Sequence, residues 1–212
     1  MLDSGVLKFG EFTTKSGRQT PYFVNTGNYK TGRQAGVLGK FYANVINENL
    51  KGKIDFLYGP AYKGIPLAVS AAIALDYEYG FNLPYAFNRK EIKDHGEGGS
   101  LIGYTPKNGD RALIIEDVIT AGTSVRESVP ILKSYGDISV SDMVISVDRM
   151  EKGQSDKTAV QEVKDEFGIN VFSIVTIKDI LELLYNKEVN GRVIVDDNMK
   201  LKIEAYMDKY CI

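Results

Sequence analysis

Short apolar runs bounded by glycine, proline or charge recur along the chain, and between them apolar residues return at helical spacing. Residues 54–58, 84–87, 111–115, 139–148 and 170–176 are rich in aliphatic or aromatic side chains and predict strands. Helices are predicted over residues 31–49, where Val37, Leu38, Phe41 and Val45 share a face, and over 65–75, 123–135, 159–167 and 177–185. Residues 193–210 read as mostly helical, and 7–14 and 19–25 as extended segments around a Lys15-Ser16-Gly17-Arg18 turn. Residues 89–100 have no apolar period and read as a mobile loop; 116–122 read as a second loop. Strands alternating with helices predict an α/β fold, a mainly parallel sheet flanked by helices. In such sheets ligands bind beyond the carboxyl ends of the strands, so the loops leaving strands are where chemistry belongs.

Composition narrows the classes. At 212 residues one domain spanning 1–212 is expected, and no linker divides it. Lys and Arg number 26 against 28 Asp and Glu, a net charge of −2, which gives no electrostatic footprint for nucleic acid. Cys211 is the only cysteine and His95 the only histidine, so an intrachain disulfide and a Cys- or His-built zinc site are excluded. No apolar run approaches the ~20 residues of a membrane span, and the start lacks the basic-then-apolar order of a secretory signal. A reducing, cytoplasmic setting is expected, with no membrane or nucleic-acid partner.

The sharpest chemistry lies between Leu113 and Ser124. An apolar strand runs into the paired carboxylates Glu116 and Asp117. The turn Thr120-Ala121-Gly122-Thr123-Ser124 then opens a helix. Backbone N–H groups and hydroxyls at a helix N-terminus suit a phosphate dianion. Two carboxylates beside it suit sugar hydroxyls or a metal, so a phosphosugar fits. The plain alternative is a strand–turn–helix capped by Thr123. Arg89, Lys90, Lys93 and His95 crowd the loop that follows the strand at 84–87, where cations would neutralise charge on a leaving group. Acids in the same loop leave a merely solvated segment equally open. Gly59-Pro60-Ala61-Tyr62-Lys63-Gly64 joins a strand to a helix. Alone it is an ordinary turn with a surface lysine, as Lys15 alone is a solvated turn lysine. Arg149 follows a buried strand, and its planar guanidinium can grip a carboxylate or pair with an acid at the strand end.

The segment Ile114–Ser124, IIEDVITAGTS, resembles the phosphoribosyl-pyrophosphate (PRPP) signature of the type I phosphoribosyltransferases, and its match is close to the orotate-using members. LKFGEFTTKSGRQTPYFVN, YGPAYKGIPLA, FNRKEIKDHGEGGSLIG and ISVDRMEKG extend the resemblance from Val6 to Ile180. It implies the type I fold with a small hood from residues 1–30. The implied reaction transfers phosphoribose from PRPP to orotate, releasing pyrophosphate, with Mg²⁺ held mainly through substrate and water. A homodimer is implied too, in which the 89–100 loop reaches the neighbouring subunit's site. By the same resemblance PRPP would meet Lys15, Tyr62, Lys63, Arg89, Lys90, Lys93 and His95. It would also meet the run Glu116, Asp117, Val118, Ile119, Thr120, Ala121, Gly122, Thr123 and Ser124. Orotate would meet Phe23, Val24, Thr120 and Arg149, and Lys93 and Asp117 would carry catalysis. The chain departs from the family's pattern at Val24, where many members have an aromatic, and at Glu116, where many have aspartate. The family also carries a helix ahead of the segment matching Leu2–Phe9.

Overall fold

The computed structural model describes residues 1–14, 17–90, 100–119 and 122–212. Six strands make the central sheet: β3 (Phe56–Tyr58), β4 (Tyr85–Asn88), β5 (Leu101–Gly103), β6 (Arg111–Val118), β7 (Ser139–Asp148) and β8 (Asn170–Thr176), in the order β5-β4-β3-β6-β7-β8. All neighbours are parallel except β4 and β5. The carboxyl ends of β3, β4, β6 and β7 therefore open on one edge. A mainly parallel sheet flanked by helices is what the alternating pattern predicts, and the structure has it, with β6 at its centre and one antiparallel edge strand.

Alternation along the strands assigns each side chain to a layer. Leu57, Leu113 and Ile115 pack with α1 (Gly32–Leu50) and α2 (Gly64–Tyr79) on one face. Phe56, Tyr58 and Ile114 pack with α3 (Thr123–Lys133) and α4 (Ala159–Phe167) on the other. Helix α1 starts at a capping box in which the Thr31 hydroxyl accepts from the Gln34 N–H and Gln34 reaches back.

The buried stripe of α1 is Leu38, Tyr42, Ile46 and Leu50 with Gly39 and Ala43, while Val37 and Phe41 are half exposed. The stripe named from periodicity is thus wrong at two of its four residues. Small residues decide it: a Cβ on Gly39 would lie 2.5 Å from the Ser70 carbonyl oxygen, so α1 approaches α2 closely on that side.

The hood is an antiparallel hairpin, β1 (Leu7–Thr13) with β2 (Gln19–Val24). It packs through Leu7 and Tyr22 against Val147, Ile177 and Ile180 and against Tyr206 of α6 (Asp197–Tyr210). Helix α5 (Ile177–Leu184) links β8 to a small hairpin of β9 (Glu188–Val189) and β10 (Arg192–Val193). That hairpin and β5 lie where the sequence predicts no strand, and the predicted helix over 193–210 begins only at Asp197, after β10. Strands of two or three residues leave too little pattern to detect. Strand β6 also runs three residues beyond its predicted end at 115, so Glu116, Asp117 and Val118 belong to the strand and not to the following loop.

Candidate active site

Because β6 continues through Val118, the acid pair is held by sheet hydrogen bonding. Glu116 pairs in register with Ile145 and Val118 with Val147 of β7. Both acids are buried. Asp117 Oδ2 accepts from the Thr26 hydroxyl at 2.6 Å and faces Lys63 Nζ at 2.9 Å, while its Oδ1 accepts from the Val118 N–H at 2.9 Å. Glu116 Oε1 accepts from the Asp117 N–H at 3.1 Å, and the Tyr42 hydroxyl donates to the Glu116 carbonyl at 2.7 Å. Burial, and then the neighbouring Asp117 charge, push the Glu116 carboxyl up to about 7. One acid is thus fully partnered and the other poised to exchange a proton near neutrality.

Beyond the strand, Ile119 and Gly122 are buried and α3 begins at Thr123. Gly122 occupies the N-cap position at φ +67°, a left-handed conformation that favours glycine, and among the described residues no side chain caps the helix. A Thr123 cap is therefore ruled out; Thr123 is exposed in the first turn with Ser124 half-buried behind it. An uncapped N-terminus leaves N–H donors for an anion.

The Gly59–Gly64 turn follows β3. The Ala61 N–H donates to the Asn88 side chain at 2.8 Å, which ties the turn to the end of β4. A Cβ at Gly59 would lie 2.3 Å from the Gly64 carbonyl oxygen, so the turn is folded tightly on itself. Lys63 leaves it towards Asp117, and Tyr62 projects outward with Lys90 Nζ 5.7 Å from its ring centroid. Arg89 donates its backbone N–H to the Ser100 carbonyl, closing the base of the segment between them.

On the other flank, Arg149 follows β7 with its guanidinium 4.9 Å from the Tyr22 ring centroid and paired with Glu151. The partner is Glu151, two residues on, and not the neighbouring Asp148, whose carboxyl is raised by its own burial. Phe23 and Val24 separate: Phe23 is exposed and stacks on Phe12, whereas Val24 packs in the cluster that holds Val118 and Met150. Of the remaining candidates, Lys15, Lys93, His95, Thr120 and Ala121 lie outside the described residues. Thr26, Tyr42, Asn88 and Glu151 were not singled out from sequence. Each acts through a partner distant along the chain or across a turn, and no local pattern announces that.

Comparison with known proteins bears on the family and the fold. The phosphoribosyl transferase domain model matches residues 25–179. An orotate phosphoribosyltransferase of Clostridium acetobutylicum is 56% identical over 210 residues, covering 99% of this chain and 94% of its own. One from Clostridium beijerinckii is 51% identical over the same length. Among solved structures, the Francisella tularensis orotate phosphoribosyltransferase superposes with a TM-score of 0.85 at 38% identity, over all of this chain and 96% of that one. An adenine phosphoribosyltransferase of Thermoanaerobacter pseudethanolicus, at 15% identity and a TM-score of 0.51, shares the fold. With its strand-end acids, its uncapped glycine turn and near-complete matches of this kind, the chain belongs to the phosphoribosyl transferase family, among the orotate phosphoribosyltransferases.

Proposed function

We propose that the edge formed by β3, β4, β6 and β7 is where the chain moves 5-phosphoribose from PRPP to orotate, giving orotidine 5′-monophosphate and pyrophosphate. The observation that carries the assignment is Asp117, a buried carboxylate held by Thr26 and Lys63 and followed five residues on by the glycine N-cap of α3. A 5′-phosphate sits at the Gly122–Ser124 turn on the N–H groups of α3. Glu116 and Asp117 accept from the ribose hydroxyls. Lys63 then exchanges its carboxylate partner for pyrophosphate, joined by Tyr62, Arg89 and Lys90 and, from the intervening segment, Lys93 and His95. Lys15 adds a further cation from the hood.

In the reaction the bond from the anomeric carbon to pyrophosphate breaks and positive charge grows on the sugar. N1 of orotate bonds to that carbon from the opposite face, and its proton passes to solvent water. Lysine charge on the departing pyrophosphate is worth more in the transition state than before it, and Lys93 has the largest share. Arg149 grips the orotate carboxylate, Thr120 meets the base, and Phe23 and Val24 supply the apolar border of the base site. Arg149 favours an anionic base over the neutral bases of a salvage enzyme.

The acid pair suits Mg²⁺, a hard cation that keeps water and substrate oxygens as most of its ligands. When bound, Mg²⁺ neutralises pyrophosphate charge. A homodimer whose 89–100 loop serves the partner's site completes the reading. A reducing, cytoplasmic setting accords with the lone Cys211. Among the described residues no helix is long and apolar enough to cross a membrane.

The test is pyrophosphate release from PRPP with orotate, uracil, hypoxanthine or adenine as acceptor. Release with orotate alone is expected. Equal release with a neutral base overturns the role of Arg149.

A further inference from the structure

Glu151 has a side chain about as sequestered as that of Arg149, with 17% and 11% exposure. Its Oε1 accepts from Arg149 Nε at 2.9 Å and Nη2 at 2.6 Å, from the Tyr206 hydroxyl at 2.7 Å and from the Tyr22 hydroxyl at 3.2 Å. Its Oε2 faces Arg18 Nη1 at 3.8 Å. Three separate parts of the chain therefore converge on one carboxylate: the hood through Arg18 and Tyr22, the C-terminal helix through Tyr206, and the end of β7 through Arg149. Backbone contacts brace the same spot. Lys152 N–H donates to the Tyr210 carbonyl, and Ile212 N–H to that of Met150.

A guanidinium has two edges able to hold a carboxylate with paired hydrogen bonds, Nε with Nη2 and Nη1 with Nη2. In Arg149 the first is taken by Glu151, and one face lies over the Tyr22 ring. Among the described residues Nη1 makes no hydrogen bond. A group fixed on one edge and one face has a single orientation left in which to meet a ligand. Long side chains lose rotamer entropy when they bind, and a clamp that removes this freedom beforehand improves affinity.

We propose that Glu151 is the positioning residue of the base site: it clamps the Nε–Nη2 edge of Arg149 so that the Nη1 side is presented to the carboxylate of the acceptor base. The inference rests on Arg149 being the orotate carboxylate's partner. Glu151 itself touches no substrate. Its negative charge opposes an anionic base, so geometry must outweigh charge for the clamp to help. The two contributions separate by substitution. Glu151→Asp keeps the charge but withdraws it by one methylene from Arg149. Glu151→Gln discards the charge but keeps an oxygen that accepts from Nε and Nη2.

The experiment measures the Michaelis constants for orotate and PRPP in Glu151→Asp, Glu151→Gln, Arg149→Ala and the double variant Glu151→Asp/Arg149→Ala. Glu151→Asp is expected to raise the orotate constant roughly tenfold, while Glu151→Gln stays within about threefold of the parent. The PRPP constant stays put in both, which a general loosening of the hood or of α6 would not allow. In the double variant the Glu151 change adds nothing to the orotate constant, because a clamp has no effect without the group it holds. A Gln variant as impaired as the Asp variant, or full additivity in the double variant, overturns the clamp while leaving Arg149 in its role. An orotate constant unmoved by Arg149→Ala overturns the role of Arg149 and the clamp with it.

Discussion

The Thr26 hydroxyl donates to Asp117 Oδ2 at 2.6 Å across 91 positions of sequence, and both residues are buried. This bond joins the single helical turn Thr26–Asn28, ahead of α1, to the central strand and fixes the rotamer of an acid assigned to the ribose. Hydrogen bonds to charged groups contribute about 1.5–3 kcal/mol, so Thr26→Val should lower kcat/KM for PRPP by roughly 10- to 150-fold. Thr26→Ser should recover most of the loss. The orotate constant stays level in both, and steady-state kinetics with each substrate varied separately checks it.

Replacing the acid itself tests the assignment more directly. Asp117→Asn leaves the side chain's shape but removes the partner charge of Lys63. PRPP use should weaken, with the ratio of orotate to uracil turnover unchanged. A large shift in that ratio without a change in PRPP affinity would place Asp117 with the base instead.

Glu116 gives the fold a pH dependence whose sign follows from its raised carboxyl. The folded protein holds this proton up to about 7, whereas the unfolded chain releases it near the ordinary 4.5. Between those values the folded state binds more protons, so the group's contribution to stability falls as pH rises from 4.5 to 7 and is constant on either side. Glu116→Gln should remove that slope. Melting temperatures of the two proteins at several pH values should diverge across this window in favour of the variant. Parallel curves would mean that Glu116 is ionised throughout.

Subunit mixing tests the shared site. Lys93→Ala and Asp117→Asn chains should each be nearly inactive alone. A mixed dimer would carry both defects in one site and neither in the other. Random equal mixing should return activity towards about a quarter of the parent, if the sites act independently. No recovery after proven subunit exchange would mean that Lys93 serves its own subunit.

Much of this was legible in the sequence, and the exceptions share a cause. The strands around β6 and the helices α3, α4 and α5 stand out because their apolar spacing is strong and local. The acids and glycine turn were legible because adjacent residue types carry their chemistry. The end of β6 was misplaced because Glu116 and Asp117 are charged, and charge ordinarily marks a loop; here Thr26, Lys63 and sheet pairing make burial tolerable. The exposed side of α1 was misjudged because Gly39 and Ala43, weak in any hydropathy pattern, are what let it meet α2. Glu151 is illegible as a hub in the sequence because its partners Tyr22 and Tyr206 lie 129 and 55 residues away.

The alternation of β6 has a consequence for how the two acids respond to change elsewhere. Asp117 falls on the face of Leu113 and Ile115, with α1 and α2, and Glu116 on the face of Ile114, with α3 and α4. The strand is a partition, and residues adjacent in sequence live in different compartments. Variation that reshapes one helical layer acts directly on one carboxylate and reaches the other only through the charge the two acids share. The grip on the sugar can thus be adjusted from either side of the sheet, and because the acids feel each other's charge, a drift in one layer can be offset from the opposite side.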